Sequence, residues 1–212
     1  MAEIIDIEKN KILDEVIANR RTIREFKPDI PPKESIEAIL EAGLHAPFAA
    51  IAIIGEKRFR RFFVLKEGES TNKLAGIMQK RVKVVYDNLS GQINLLPKAE
   101  EFLKILKDIV DKGFNLEQPY LIIVAEKEGF PPVAQLSLAH CLENMWLKAT
   151  ALGLGFRLVS LISELSKDQE FCQFIGITPG EYAVNGCIVG YTKTVPPIVE
   201  RPLLNDITTW IN

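Results

Sequence analysis

The sequence predicts one globular domain that mixes helices with strands, and three observations carry that expectation. Apolar residues recur at helical spacing over several long stretches, and short continuous β-branched runs such as residues 119–125 separate them. A composition of 47% hydrophobic and 25% charged residues over 212 positions is also an ordinary globular balance. A chain of this size buries roughly 70% of the surface its unfolded state exposes. The formal charge of −2 and a pI near 5.8 give no global pull toward nucleic acid or an anionic membrane, so any anion site must be local. Cys141, Cys172 and Cys187 are odd in number, lack C-x-x-C spacing and stand in apolar sequence, which indicates neither a disulfide framework nor a zinc site. The first six residues hold no basic leader or long apolar run, so the expectation is a cytoplasmic protein.

Taken in order, Ile12, Leu13, Val16 and Ile17 predict a first helix from about residue 8 to the arginines that follow it. Pro31 and Pro32 start a second, with Ile36, Ile39 and Leu40 on one face and a stop near Gly43. Residues 45–55 are small and apolar without strand alternation, and read as a buried loop or short helix against a partner. Residues 58–65 read as a strand with a basic entry, whose cations suit a solvated sheet edge. Ser70 is placed to cap a long amphipathic helix carrying Leu74, Ile77, Met78, Val82, Val85, Tyr86 and Leu89. After a loop bounded by Gly91 and Pro97, Phe102, Leu103, Leu106, Ile109 and Val110 mark another helix, ended by Gly113. These two helices, within about residues 66–118, read as an excursion from the core, a lid or a partner-facing lobe.

The run at 119–125 is apolar on both faces and so predicts a central strand. Pro131 and Pro132 open the longest helical pattern, from Val133 to about Leu152, apolar over more than one face and therefore buried on several sides, in a core or across a subunit interface. His140, Glu143, Asn144 and Lys148 interrupt it and argue against a membrane span. His140 reads as a satisfied interface residue. After Gly153 and Gly155, residues 156–161 read as a strand, Ser166 to Gln169 as a capping box, and Phe171, Phe174 and Ile175 as the inner face of a helix closed by Gly176. Tyr182 to Gly190 reads as another buried strand, and the tail from Thr192, Pro-interrupted and extended, carries Arg201.

Chemistry concentrates in one place. Arg20, Arg21 and Arg24 put three guanidiniums into five positions with the hydroxyl of Thr22 among them. Each guanidinium is a planar fork of five N–H donors that grips a phosphate with two bonds at once. The competing account is that Arg20 and Arg21 only offset the dipole at a helix C-terminus, for about 0.3–1 kcal/mol each. With two histidines far apart, there is no H-E-x-x-H, Walker lysine, G-x-S-x-G or G-x-G-x-x-G. A chain without evident acid, base, nucleophile or metal ligands either is no enzyme or borrows its chemistry, and the arginines favour a phosphate-bearing cofactor.

Residues 20–26, R-R-T-I-R-E-F, resemble the R-R-S-x-R-x-F opening of the flavin-dependent nitroreductase family. Residues 144–155 resemble that family's central helix and glycine turn. Residues 176–182, then 188–191, then Arg201-Pro202-Leu203, are similar to its C-terminal third in order and spacing. The resemblance covers most of the chain outside 66–118. It implies an α+β fold with a mainly antiparallel central sheet wrapped by helices, as an intertwined homodimer with two FMN sites at the interface. It implies that Arg20, Arg24 and Arg201 hold the FMN phosphate and ribityl end, with Arg21 and Thr22 contributing through backbone or hydroxyl. It places the backbone of Val159, Ser160 and Leu161 against the flavin ring, and brings Pro47, Phe48 and Ala49 over the ring from the partner subunit.

The implied activity is ping-pong transfer of electrons from NADH or NADPH to a nitroaromatic, quinone or similar acceptor, with no side-chain acid required and no nucleic-acid or membrane partner. The sequence departs from the family where P-S-x-x-N-x-Q-P-W is usual: Phe48 replaces the serine, and Ala, Ile and Gly stand where the amides should be. Either residues 58–61 realign to that strand after an insertion, with Arg58 supplying a cation near N1 and C2=O, or the pyrimidine edge lacks its usual donors. Two alternatives follow, a specialised flavin-fragmenting or dehalogenating relative and a non-catalytic FMN-binding or scaffold dimer.

Overall fold

The computed structural model describes residues 7–48, 54–91, 99–114 and 118–211. Its elements in chain order are α1 (Ile7–Asn19), α2 (Lys33–Leu44), β1 (Arg60–Lys66), α3 (Glu69–Ser90), α4 (Ala99–Lys112), β2 (Tyr120–Lys127), α5 (Ala134–Ala151) and β3 (Gly155–Leu158). A 3₁₀ segment (Ser160–Leu165), α6 (Gln169–Ile175), β4 (Tyr182–Gly190) and α7 (Leu204–Ile207) complete them. The four strands form one sheet in the order β1-β2-β4-β3, every neighbouring pair antiparallel. This is the α+β architecture the sequence resemblance implies.

The continuous apolar run in β2 has a direct cause: both sheet faces are covered. Tyr120, Ile122 and Val124 join Ala183, Cys187 and Val189 of β4 against α2 and α5. Leu121, Ile123 and Ala125 join Val184 and Ile188 against α3, the 3₁₀ segment and α6. Because side chains alternate along a strand, one run of sequence supplies both cores. A third, smaller cluster of Val82, Leu103 and Leu106 ties α4 to α3.

Several local expectations need correction. The cap of α3 is not Ser70: Thr71 Oγ1 accepts the Gly68 N–H at 3.0 Å and donates to the Gly68 carbonyl at 2.8 Å. The capping side chain of α6 is Asp168, which accepts the Phe171 N–H at 2.8 Å. Ser160 and Leu161 are not strand residues, since β3 stops at Leu158 and the chain tightens into the 3₁₀ turn. Close approach explains the turn's seat: a Cβ on Gly186 of β4 would collide with Ile162 and lie 3.2 Å from the Ile122 carbonyl oxygen. In the 45–55 stretch, Phe48 and Ile54 are exposed on the single chain rather than buried, and residues 49–53 lie outside the described residues. Among the described residues no helix is long and apolar enough to cross a membrane.

The basic entry of β1 is the largest correction. Arg60 is no solvated edge cation; its side chain is fully out of water and faces Glu126 directly across the β1–β2 ladder. Its Nε and Nη2 donate to Glu126 Oε2 at 2.9 and 2.8 Å. Its remaining donors reach the carbonyls of Gly43, Ala46 and Pro47 and the hydroxyl of Ser137, which itself donates to Pro47 O at 3.0 Å. One guanidinium thus ties β1, the end of α2 and the start of α5 together.

Candidate functional site

The segment after α1 is laid along the free edge of β3. Ile23 N–H donates to Phe156 O at 3.0 Å, Lys27 N–H to Tyr191 O at 2.9 Å, and Lys193 N–H returns to Glu25 O at 3.0 Å. Gly155 makes this seating possible, because a Cβ there would lie 2.7 Å from Thr192 Oγ1 and 2.9 Å from Ile23 Cγ2. Trp146 of α5 fixes the segment from below: its indole N–H donates to the Arg21 carbonyl at 3.1 Å, and its ring stacks on Phe156 at 5.0 Å between centroids.

This anchoring gathers Arg20, Arg21, Thr22 and Arg24 with Arg201 from the far end of the chain around one cavity of about 610 Å³, whose one carboxylate is Glu143. The size falls within the roughly 300–1,000 Å³ of small-molecule sites. The four guanidiniums are not equivalent. Arg20 lies 4.3 Å over the Trp146 ring and pairs with Glu143 at 3.2 Å. Arg21 Nη1 donates to the carbonyls of Ala18 and Arg20 at 2.6 and 2.8 Å, so the helix-end role weighed for it is real. Arg24 and Arg201 have no side-chain hydrogen bond or ion pair among the described residues, and the nearby Glu25 carboxylate is occupied by Thr194 Oγ1 at 3.0 Å. Two guanidiniums therefore line the cavity without an acidic partner among the described residues, beside two that are held in place.

Val159, Ser160 and Leu161 line a second cavity of about 340 Å³ with Arg157, Leu158, Ile109 and Phe114. The Ser160 and Leu161 N–H groups open the 3₁₀ turn and donate to no backbone carbonyl among the described residues. Thr22, on the wall of the first cavity, bridges Phe156, the residue before Arg157 on the wall of the second; burial first, and the charge of Arg24 second, push the Arg157 pKa down. Pro47 and Phe48 lie elsewhere on the single chain, exposed, in a third cavity of about 220 Å³ with Leu136, Ser137 and the exposed His140. Phe48 rests on Phe59 at 4.4 Å. Arg58 is exposed ahead of β1, with its backbone N–H on Glu56 Oε1, and lines none of these cavities; Ala49 lies outside the described residues.

Sequence reasoning missed Trp146, Glu143 and Arg157 at this site. The first two were visible only as members of a greasy helix, and Arg157 as a lone cation inside an apolar run. The cysteines offer no nucleophile: all three are buried, and burial pushes the Cys141 thiol up to about 12 and raises Cys187 well above its ordinary value.

Comparison with known proteins agrees with the fold. An iodotyrosine deiodinase of Thermotoga neapolitana is 24% identical over 151 residues, covering 71% of this chain and 68% of that one. A Bacteroides fragilis nitroreductase solved with bound FMN shares the fold at a TM-score of 0.67 and 22% identity, over 94% of this chain and 98% of that one. A BluB-like flavoprotein from Clostridium difficile gives 0.72 at 19% identity, over 94% and 99%. The sequence profile of the nitroreductase family matches residues 17–191, from the end of α1 through β4. With five-sixths of its length inside that match, the chain belongs to the nitroreductase family.

Proposed function

We propose that the protein is an FMN-dependent oxidoreductase that draws electrons from NADH or NADPH and passes them to a nitroaromatic, quinone or similar acceptor. The observation that carries this reading is the convergence of Arg20, Arg21, Thr22, Arg24 and Arg201 on one cavity, with two guanidiniums lacking an acid. That donor set fits a phosphate monoester, and the free N–H groups of Ser160 and Leu161 in the adjoining cavity fit a hydrogen-bonding ring edge. Bound there, FMN supplies two-electron transfer between a nicotinamide and an acceptor that visit in turn. The protein's tasks are to anchor the phosphate, orient the ring and exclude water; no side-chain acid is required.

Homodimerisation belongs to the same reading. Ile12, Leu13 and Ile17 of α1 and Ile198, Val199, Trp210 and Ile211 of the tail are exposed on the single chain, more apolar surface than an isolated subunit usually shows. A second copy would cover these faces and carry Pro47, Phe48, Ala49 and Arg58 toward the ring. Arg58→Ala then makes the midpoint potential of bound FMN more negative, because a cation near the reduced ring is lost; an unchanged potential removes Arg58 from the site.

The deiodinase relative favours a second reading, reductive dehalogenation of a halogenated aromatic by the same cofactor. The primary test is direct. The purified chain is expected to be yellow or to take up added FMN, and to bleach anaerobically with NADH or NADPH. A colourless preparation that ignores FMN ends both enzyme readings, and an FMN-loaded one that neither nicotinamide bleaches returns the scaffold dimer.

A further inference from the structure

Arg157 is the guanidinium that the proposed cofactor grip leaves unused. It sits on β3, half-buried, in the cavity of about 340 Å³ beside the arginine cluster. Among the described residues its side chain makes no hydrogen bond or ion pair, and its electrostatic neighbour is the like-charged Arg24. A half-buried cation with no counter-ion is an unfavourable arrangement unless an anion joins it. Apart from Ser160 the other walls are apolar: Ile109 comes from α4, Phe114 from just beyond it, and Leu158, Val159 and Leu161 from β3's end and the turn. A cavity this small, greasy on most sides and cationic at one point, matches a compact ligand with an apolar body and a single negative group.

We propose that Arg157 anchors the carboxylate of a small aromatic acid that serves as the electron acceptor, its ring lying between Ile109 and Phe114. The inference rests on the proposed function for the acceptor role and assigns that reading a substrate class. The cofactor phosphate is the poorer occupant here, since Arg20, Arg21, Thr22, Arg24 and Arg201 already surround a larger cavity of their own; the ring edge would take the Ser160 and Leu161 N–H groups on one side of this cavity and leave Arg157, Ile109 and Phe114 to the acid. Arg157 is thus a specificity-determining residue, with no part in the electron transfer itself.

The test compares 4-nitrobenzoate with the neutral 4-nitrotoluene on FMN-loaded wild type, Arg157→Gln and Arg157→Lys. Losing a charge-assisted bond to the carboxylate should lower the kcat/KM ratio of the acid over the neutral acceptor about 10- to 100-fold in Arg157→Gln, through KM. Calorimetric titration of oxidised holoprotein with 4-nitrobenzoate should show the same weakening, with part of it restored in Arg157→Lys, which keeps the charge but not the fork. FMN affinity should hold within about threefold if Arg157 lies outside the cofactor grip, given that a lost charged bond costs tenfold or more. An equal effect on both acceptors, no effect on the acid, or a loss of FMN affinity in Arg157→Gln overturns the inference. A chain that takes up no FMN defeats the proposed function separately. In that case 4-nitrobenzoate titrated into the unloaded chain still decides this question: binding by wild type and not by Arg157→Gln sustains the anion site, and binding by neither ends it.

Discussion

Glu126→Ala is expected to lower the free energy of unfolding by about 3–5 kcal/mol, read from the urea midpoint at unchanged slope. The reason is what the substitution strands. Arg60 would keep its bonds to the Gly43, Ala46 and Pro47 carbonyls and to Ser137, yet its charge would be buried with four neutral acceptors and no counter-ion. Removing both charges is a different experiment: Arg60→Met with Glu126→Leu should recover most of the loss, because a packed apolar pair avoids the desolvation that the ion pair must overcome. Even a stable double variant should loosen residues 43–47, because the Gly43, Ala46 and Pro47 carbonyls would lose the Arg60 guanidinium that ties them together. A Glu126→Ala variant less than about 1 kcal/mol below wild type would show that water reaches the pair, since that is the range of exposed pairs.

Arg24→Ala with Arg201→Ala should weaken FMN binding by about 10²–10⁴-fold, each lost charged bond counting for roughly 1.5–3 kcal/mol. Arg21→Ala should cost less than tenfold in affinity, because its guanidinium is already occupied by the Ala18 and Arg20 carbonyls and does not face the ligand unencumbered. Raising salt should weaken wild-type binding more steeply than that of the double variant, since the anion and exposed cations are screened together. FMN fluorescence quenching at several ionic strengths reads all three. Equal losses for Arg21 and Arg24 would mean that the sorting into held and free guanidiniums is wrong.

How much of this was legible in the sequence differs by residue. The central strands were, because a run covered on both faces leaves an unbroken apolar signature; β4 spans Tyr182–Gly190 as read. The periodicity of α1 to α6 was also legible, although α1 buries none of its residues on the single chain; α7 was not, because the Pro-interrupted tail read as extended. Arg60 was not, because its burial depends on Glu126, its partner 66 residues later, and strand register is fixed by tertiary packing rather than by either local segment. Arginines 20 to 24 stood out by density, and Arg201 only through the resemblance. Arg157 was passed over for the opposite reason to Arg60: a single cation among Phe156, Leu158 and Val159 reads as strand, and only the topology reveals Arg24 beside it. The cap errors at Ser70 and Ser166 are one or two residues wide, the usual reach of competing Ser, Thr and Asp side chains near a helix start.

Helix α4 leans on α3 through the small cluster of Val82, Leu103 and Leu106, apart from the two cores that flank the sheet. Ile109 on that helix and Phe114 just past it reach the cavity of Arg157, whereas the cavity of Arg20, Arg21, Arg24 and Arg201 has no wall from either. Drift in this outlying hairpin can therefore retune what fits against the turn at Ser160 while the scaffold under the arginines stays as it was. Under the proposed function, substitutions at Ile109 or Phe114 would alter the fit of an acceptor without changing a residue that lines the arginine cavity.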